Sequence, residues 1–167
     1  MPTYIRIEGG RASLAEDPFT FVDDDTPLPQ GDVVISLTRF QADGDRLLGE
    51  GRKVGVKLAS HEAVEDLVYD LPRIAVVALE FPKYRDGRAY SGARLLRERF
   101  GYAGQVRAVG EVLREQAAFM LRCGFDAFQP ADGASAQEWE AATRRHRHVY
   151  QRAADDRTLA YVERGGA

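Results

Sequence analysis

Cysteine and histidine are scarce in this sequence of 167 residues. Cys123 is its one cysteine, and there are three histidines. A single thiol excludes an internal disulfide, a CxxC redox pair and a thiolate cage for zinc or an iron–sulfur cluster. His146 and His148 are two positions apart and diverge on a helix, so they do not form a zinc site. GxGxxG, P-loop and HExxH motifs are also missing, and we therefore expect no intrinsic cofactor and no metal.

The sequence also lacks long apolar runs and a strong excess of one charge. No run approaches the roughly 20 apolar residues that span a bilayer, and the opening MPTYIRIEGGR lacks the apolar stretch of a secretory signal. Lys and Arg number 23 against 26 Asp and Glu, a net charge of -3. A chain with this charge balance does not have the excess of positive charge that a general nucleic-acid binder needs. We expect a cytoplasmic protein that binds neither membranes nor nucleic acid.

Three parts of the chain are predicted from its composition. Residues 1–31 form an N-terminal arm, 32–152 an α/β core domain and 153–167 a C-terminal tail. The arm reads as mostly irregular because an Asp23–Asp25 run precedes two prolines, although residues 4–7 suit a short strand. Phe19, Phe21 and Val22 are expected to pack the arm onto the core.

The core alternates apolar runs with amphipathic segments of about a dozen residues. The predicted strands are 33–37, 54–58, 74–79, 106–109 and 126–128, and the predicted helices are 39–48, 62–68, 92–100, 112–122 and 138–152. Such alternation is typical of βαβ units, so we predict a single α/β domain. Its mainly parallel open sheet has about five strands and flanking helices. The alternative is a half-barrel that dimerises.

Polar residues gather where the predicted strands end. Parallel strands end at one edge of a sheet, and ligands bind in the crevice there. The longest core connection, residues 81–90, carries Lys83, Arg85 and Arg88 around an Asp-Gly turn. Ser91 is predicted to cap the helix that follows. Guanidinium groups beside helix N-termini suit a small oxyanion, so Arg85, Arg88, Ser91 and Arg107 are the predicted anion-binding residues.

Arg107 stands inside a strand whose neighbours are apolar. An unpaired buried charge is costly, so this side chain needs a partner or a ligand. Three interpretations are open: an ion pair across neighbouring strands, a ligand-binding arginine, or an exposed edge strand. Glu80 and Asp86 are the partners that the predicted topology places nearest.

Several segments between residues 81 and 128 resemble a bacterial family known as domain of unknown function 934. They are FPKYRDGR at 81–88, AYS at 89–91, ARLLR at 93–97, RAVG at 107–110 and RCGFDAF at 122–128. The resemblance is dense over roughly these 50 residues and loose elsewhere. One departure is Glu115, where family members usually have Asp before the residue matching Gln116.

The resemblance implies a role in sulfur assimilation. Members of the family are typically encoded beside sulfite reductase, and they are often described as oxidoreductases or accessory factors of sulfite reduction. We therefore expect an accessory protein that contacts sulfite reductase or handles sulfite or sulfate. The alternative is a small-molecule enzyme with Asp86 or Asp126 as its catalytic base. A homodimer, formed by closing a half-barrel, is a third interpretation.

Overall fold

Four of the predicted apolar runs form the centre of one sheet. The computed structural model describes residues 3–131, 133 and 135–165; residues 1, 2, 166 and 167, in the predicted arm and tail, and 132 and 134 lie outside the described residues. The described residues form eight strands: β1 (Thr3–Glu8), β2 (Arg11–Glu16), β3 (Thr20–Phe21), β4 (Val33–Ser36), β5 (Val54–Leu58), β6 (Val76–Phe81), β7 (Gln105–Gly110) and β8 (Ala127–Phe128).

The strand order is β2-β1-β8-β7-β6-β5-β4-β3. Strands β3 to β8 are parallel and lie beside one another in chain order, whereas β1 pairs antiparallel with β8 and β2. Each crossover connection between parallel strands is right-handed, and here each one leads to the next strand on the same side. The connecting helices therefore all lie on one face of the sheet. The sheet therefore curls into a half-barrel with the helices outside.

Five α-helices lie in the described part of the chain: α1 (Leu37–Gly49), α2 (Arg88–Arg94), α3 (Ala117–Cys123), α4 (Ala136–Thr143) and α5 (Ala160–Gly165). Shorter helical turns span Val64–Leu67, Leu95–Arg99 and Arg114–Gln116. Apolar side chains from α1 to α4 pack with the outward side chains of the strands in one large core. A smaller cluster on the concave face consists of Phe19, Val34, Val76, Ala78 and Val109.

The short N-terminal link between β2 and β3 accounts for the curl. These two strands are the opposite edges of the sheet, yet only residues 17–19 join them. A flat sheet of this size would separate its edge strands by about 34 Å. Four residue steps reach roughly 14 Å at most. The edges must therefore approach each other, and the link crosses the open side of the half-barrel.

The prediction of a single, mainly parallel α/β domain is confirmed, and its half-barrel alternative is supported. The predicted number of five strands is wrong because the arm adds β1, β2 and β3 to the sheet. The short strand predicted at residues 4–7 lies within β1, and Phe19 and Val22 are buried as expected. Dimerisation of the half-barrel stays a prediction.

The helix predicted at 138–152 is much shorter in the structure. α4 begins after Ser135, whose hydroxyl accepts a hydrogen bond from the Glu138 backbone N–H, and it ends at Thr143. The arginine- and histidine-rich segment that follows is irregular. Arg157 donates hydrogen bonds to the backbone carbonyls of His146 (2.8 Å) and Arg147 (2.7 Å). These contacts hold the segment in a non-helical path that local composition did not reveal.

Candidate functional site

The loop that follows β6 lies at the edge of the sheet where the parallel strands end. Its backbone is fixed by side chains from the next connection. The Tyr84 N–H donates to Glu111 Oε2 (3.0 Å), and Gln116 Nε2 donates to the Tyr84 carbonyl (2.8 Å). A turn hydrogen bond joins the Asp86 N–H to the Lys83 carbonyl (2.8 Å). The loop is therefore ordered although most of its side chains are exposed.

Asp86 and Arg88 form a two-pronged ion pair within this loop. Arg88 Nε lies 2.9 Å from Asp86 Oδ1, and Arg88 Nη2 lies 2.6 Å from Asp86 Oδ2. Arg88 Nη2 also donates to Ser60 Oγ (2.8 Å). The Arg88 guanidinium holds the pKa of the Asp86 carboxyl well below its usual range. Such a carboxylate is a weak base, so this pairing works against Asp86 as a catalytic base, which stays a prediction.

Arg85 and its neighbours point away from the body of the protein. Arg85 Nε donates to the Tyr84 hydroxyl (2.6 Å), and its guanidinium carbon lies 5.3 Å from the centre of the Tyr84 ring. Lys83, Tyr84 and Arg85 are all exposed, Tyr84 by 45%. We call these three residues the display loop. They form a cationic and aromatic surface on a rigid support.

A cleft of about 180 Å³ lies between the ends of β5 and β6 and α2. The residues that line it include Ser60, Arg88, Ser91, Glu62, Glu65 and Glu80. The Glu80 carboxylate pairs with Lys57 and the Arg88 guanidinium with Asp86. Glu62 and Glu65 therefore leave the cleft with a negative balance, which does not favour an oxyanion. Ser91 does not cap α2 as predicted, because that helix already begins at Arg88 after Gly87.

Arg107 lies inside the half-barrel, away from the display loop. Its side chain is 1% exposed, and it forms an ion pair with Asp17 from the β2–β3 link. Arg107 Nη2 also donates to Gln105 Oε1 (2.7 Å), and the Tyr4 ring centre lies 4.2 Å from the guanidinium carbon. Arg107 is therefore ion-paired, but the pair does not join neighbouring strands, and the expected partners Glu80 and Asp86 are wrong. The true partner comes from the arm, which was predicted as a segment apart from the core domain.

Glu80 instead pairs with Lys57. The Lys57 ammonium lies 3.6 Å from Glu80 Oε1, and both side chains are about one-third exposed on the concave face. Ser36 of β4 is the residue that pairs with Lys57 of β5, and its hydroxyl donates a hydrogen bond to Asp24 Oδ1. Sequence reasoning did not single out Lys57. The available signal was a charged residue near the carboxyl end of an apolar strand.

Asp126 lies at the amino ends of the parallel strands, whereas Asp86 follows β6 at their carboxyl ends. Asp126 immediately precedes β8, and its Oδ1 accepts a hydrogen bond from the Val106 N–H (2.9 Å) at the start of β7. Its Oδ2 pairs with Arg97 (3.0 Å), while burial raises the pKa of the carboxyl. Asp126 therefore ties two strands and a helix together there. The two predicted acids do not share a site.

The structure thus keeps part of the predicted site together. Arg85, Asp86, Arg88 and Ser91 lie on or beside the loop after β6, while Arg107 is in the interior and Asp126 at the far edge. The expected convergence of Arg85, Arg88 and Arg107 on one rim is therefore wrong, because Asp17 holds Arg107 inside. Oxyanion binding by Arg85, Arg88 or Ser91 stays a prediction.

Gly110 anchors the base of the display loop. It has a φ of +92°, and a side chain there would overlap the Phe81 carbonyl oxygen, which accepts a hydrogen bond from the Glu111 N–H. We expect Gly110→Ala to lower the free energy of unfolding by about 2–4 kcal/mol, since strain and a backbone clash add. Urea denaturation measures the loss. Gly101→Ala is the control, because Gly101 has a φ of +61° and open space around it. Equal losses in the two variants would show that the clash contributes nothing.

The described residues contain no group of three or more His, Cys, Asp or Glu side chains placed to hold a metal ion. None of the helices in the described ranges has the length and apolar character to cross a bilayer.

Comparison with known protein families gives a match. The family model described as a bacterial protein of unknown function (DUF934) matches residues 55–161. No curated protein and no solved structure matches the chain. The family match runs from β5 into α5 and includes the display loop and all the segments on which the resemblance was based. Because it covers well over half of the sequence, the chain belongs to this bacterial family.

Proposed function

We propose that this protein is an accessory protein of assimilatory sulfite reduction that contacts sulfite reductase through the display loop. The observation that carries the proposal is that the charged residues of the segment 81–88 have two different roles. Asp86 and Arg88 fasten the loop, whereas Lys83, Tyr84 and Arg85 are presented to solvent. Tyrosine and arginine are enriched among the residues that dominate protein–protein binding.

The rigidity of the loop supports binding to a macromolecule. Association is weakened by the entropy lost when a mobile loop becomes ordered. Here Glu111 and Gln116 hold the Tyr84 backbone in place before any partner arrives. The choice of sulfite reductase as the partner rests on the resemblance, whose members are typically encoded beside that enzyme.

Direct contact has more support than oxyanion handling. Of the three arginines predicted to gather around an anion, Arg107 is buried against Asp17 and Arg88 is neutralised by Asp86. Arg85 alone offers a weakly engaged guanidinium, and single exposed cations bind small anions poorly in water.

The experiment measures binding of the purified protein to sulfite reductase of the same organism by biolayer interferometry. We expect Arg85→Glu and Tyr84→Ala each to weaken binding about tenfold or more, in the range of central interface residues. Arg99→Glu is the matched control. Arg99 is likewise exposed and lies over its neighbouring ring, 5.7 Å from the Phe100 centre, but on the helical layer. Absence of binding by the unaltered protein, or equal weakening by Arg99→Glu, would refute the proposal.

The second candidate function is a small-molecule enzyme, and the Lys57–Glu80 pair favours it. These groups lie at the carboxyl ends of parallel strands, where barrel enzymes place their acids and bases. Sulfite consumption by the isolated protein, lost in Glu80→Gln, would support this alternative. An effect of the protein on sulfite turnover that requires the reductase would support the accessory role.

A further inference from the structure

A groove separate from the display loop runs between α3 and the irregular segment after α4. It consists of two connected depressions of about 730 and 340 Å³. Both are lined by Ala118, Arg122, His146 and Arg157. Two open depressions side by side suit a length of polypeptide better than a compact small molecule.

The groove has a fixed shape although one wall lacks regular secondary structure. Arg122 Nε pairs with Asp155 Oδ2 (3.0 Å), and the Ala154 N–H donates to the Arg122 carbonyl (2.8 Å). An isolated β-bridge joins Val149 to Leu159, so these two parts of the segment lie side by side. The wall is therefore prepared before a ligand binds.

The rim of the groove is strongly basic in a protein whose net charge is -3. Arg144, His146, Arg147 and Arg157 line the larger depression, while Arg145 lies next to this stretch in the sequence. Within the described ranges, no carboxylate lies at ion-pair distance from Arg145, Arg147 or Arg157, whereas Arg144 pairs with Glu140 (2.6 Å). The local potential therefore attracts a negatively charged partner.

The rest of the groove supplies apolar contacts and a hydrogen-bond acceptor. Ala118 and Leu121 contribute apolar lining, and the exposed Phe119 ring lies 5.2 Å from the His146 ring. Asp155 Oδ1 is buried and receives no hydrogen bond from the described residues. A peptide N–H supplies the donor that this oxygen lacks, whereas a phosphodiester group has no proton to donate.

We propose that this basic groove binds a short acidic segment of a partner protein. Apolar side chains of the segment pack on Leu121 and Phe119, and its carboxylates face Arg147 and Arg157. Nucleic acid would satisfy the local charge and its bases would stack on Phe119, but the net charge of -3 opposes the approach of a long polyanion.

The test is fluorescence anisotropy with a labelled peptide that alternates glutamate and leucine. We expect Arg147→Glu to weaken binding about tenfold and Phe119→Ser to weaken it as well, with affinity falling as salt rises. Arg147 donates no side-chain hydrogen bond among the described residues, so its replacement leaves the fold intact, which circular dichroism checks. Arg99→Glu again serves as the control and should bind normally.

Three outcomes would overturn the proposal. The first is absence of peptide binding by the unaltered protein. The second is an unchanged affinity in Arg147→Glu. The third is tighter binding of a single-stranded oligonucleotide, or of the same peptide with lysine in place of glutamate.

Discussion

Arg107→Met is expected to lower the free energy of unfolding by about 3–5 kcal/mol, because it leaves the Asp17 carboxylate buried without its partner. The Arg107 and Asp17 side chains are 1% and 6% exposed, so water cannot replace the lost contact. The Phe19 N–H still donates to Asp17 Oδ1 (3.1 Å), but one backbone donor does not neutralise a charge. Urea denaturation followed by the fluorescence of Trp139 gives the free energy.

A second substitution separates the charge effect from a loss of packing. The double variant Asp17→Leu/Arg107→Met should recover most of the stability, since apolar residues of similar volume often replace a buried ion pair without loss. Arg85→Met removes an exposed guanidinium and should change stability by less than about 0.5 kcal/mol. If Arg107→Met costs no more than Arg85→Met, the ion pair does not hold the link in the half-barrel.

Trp139→Ala is expected to cost about 3–5 kcal/mol because it empties the largest fully buried site of the protein. Trp139 lies on α4, and its ring centre is 4.9 Å from that of Phe128 on β8. The indole therefore fastens a short helix to the short strand β8. Thermal unfolding by far-ultraviolet circular dichroism measures the change, since Trp139 is the one tryptophan of the chain.

The matched substitution is Trp139→Phe, which keeps an aromatic ring on Phe128. Trp139 Nε1 is buried and donates no hydrogen bond to the described residues, so removing the indole nitrogen breaks no hydrogen bond with them. We expect a clearly smaller loss than for alanine. Tyr150→Ala, at a 66% exposed ring, should be close to neutral. A Trp139→Phe loss as large as that of Trp139→Ala would contradict the packing argument.

The centre of the fold could be predicted because burial on both faces leaves a direct mark on the sequence. The runs at β4, β5, β6 and β7 are almost entirely apolar, and the structure agrees with their predicted bounds to within two residues. β2 leaves no such mark, since it is an edge strand whose six residues are exposed or half-buried. Its pairing with β1 depends on a tight turn, and the resulting curl depends on the length of the link.

Only the part of the candidate site that lies on a single loop could be predicted from the sequence. Arg85, Asp86 and Arg88 lie where the topology placed them because they are close in sequence. Arg107 is different, since its partner Asp17 is 90 positions away and belongs to a segment that reads as irregular. No local pattern connects two such residues. Lys57 and Glu80 likewise meet only because β5 and β6 are neighbours.

Pairing of β1 with β8 also sets an order of events during synthesis on the ribosome. Ile5 pairs with Phe128, so β1 meets this neighbour only after more than 120 further residues have been translated. At about 5–20 residues per second, this delay is roughly 6–25 s. During that time Tyr4, Ile5 and Ile7 remain without their final cover, which makes the nascent hairpin a natural target for chaperones.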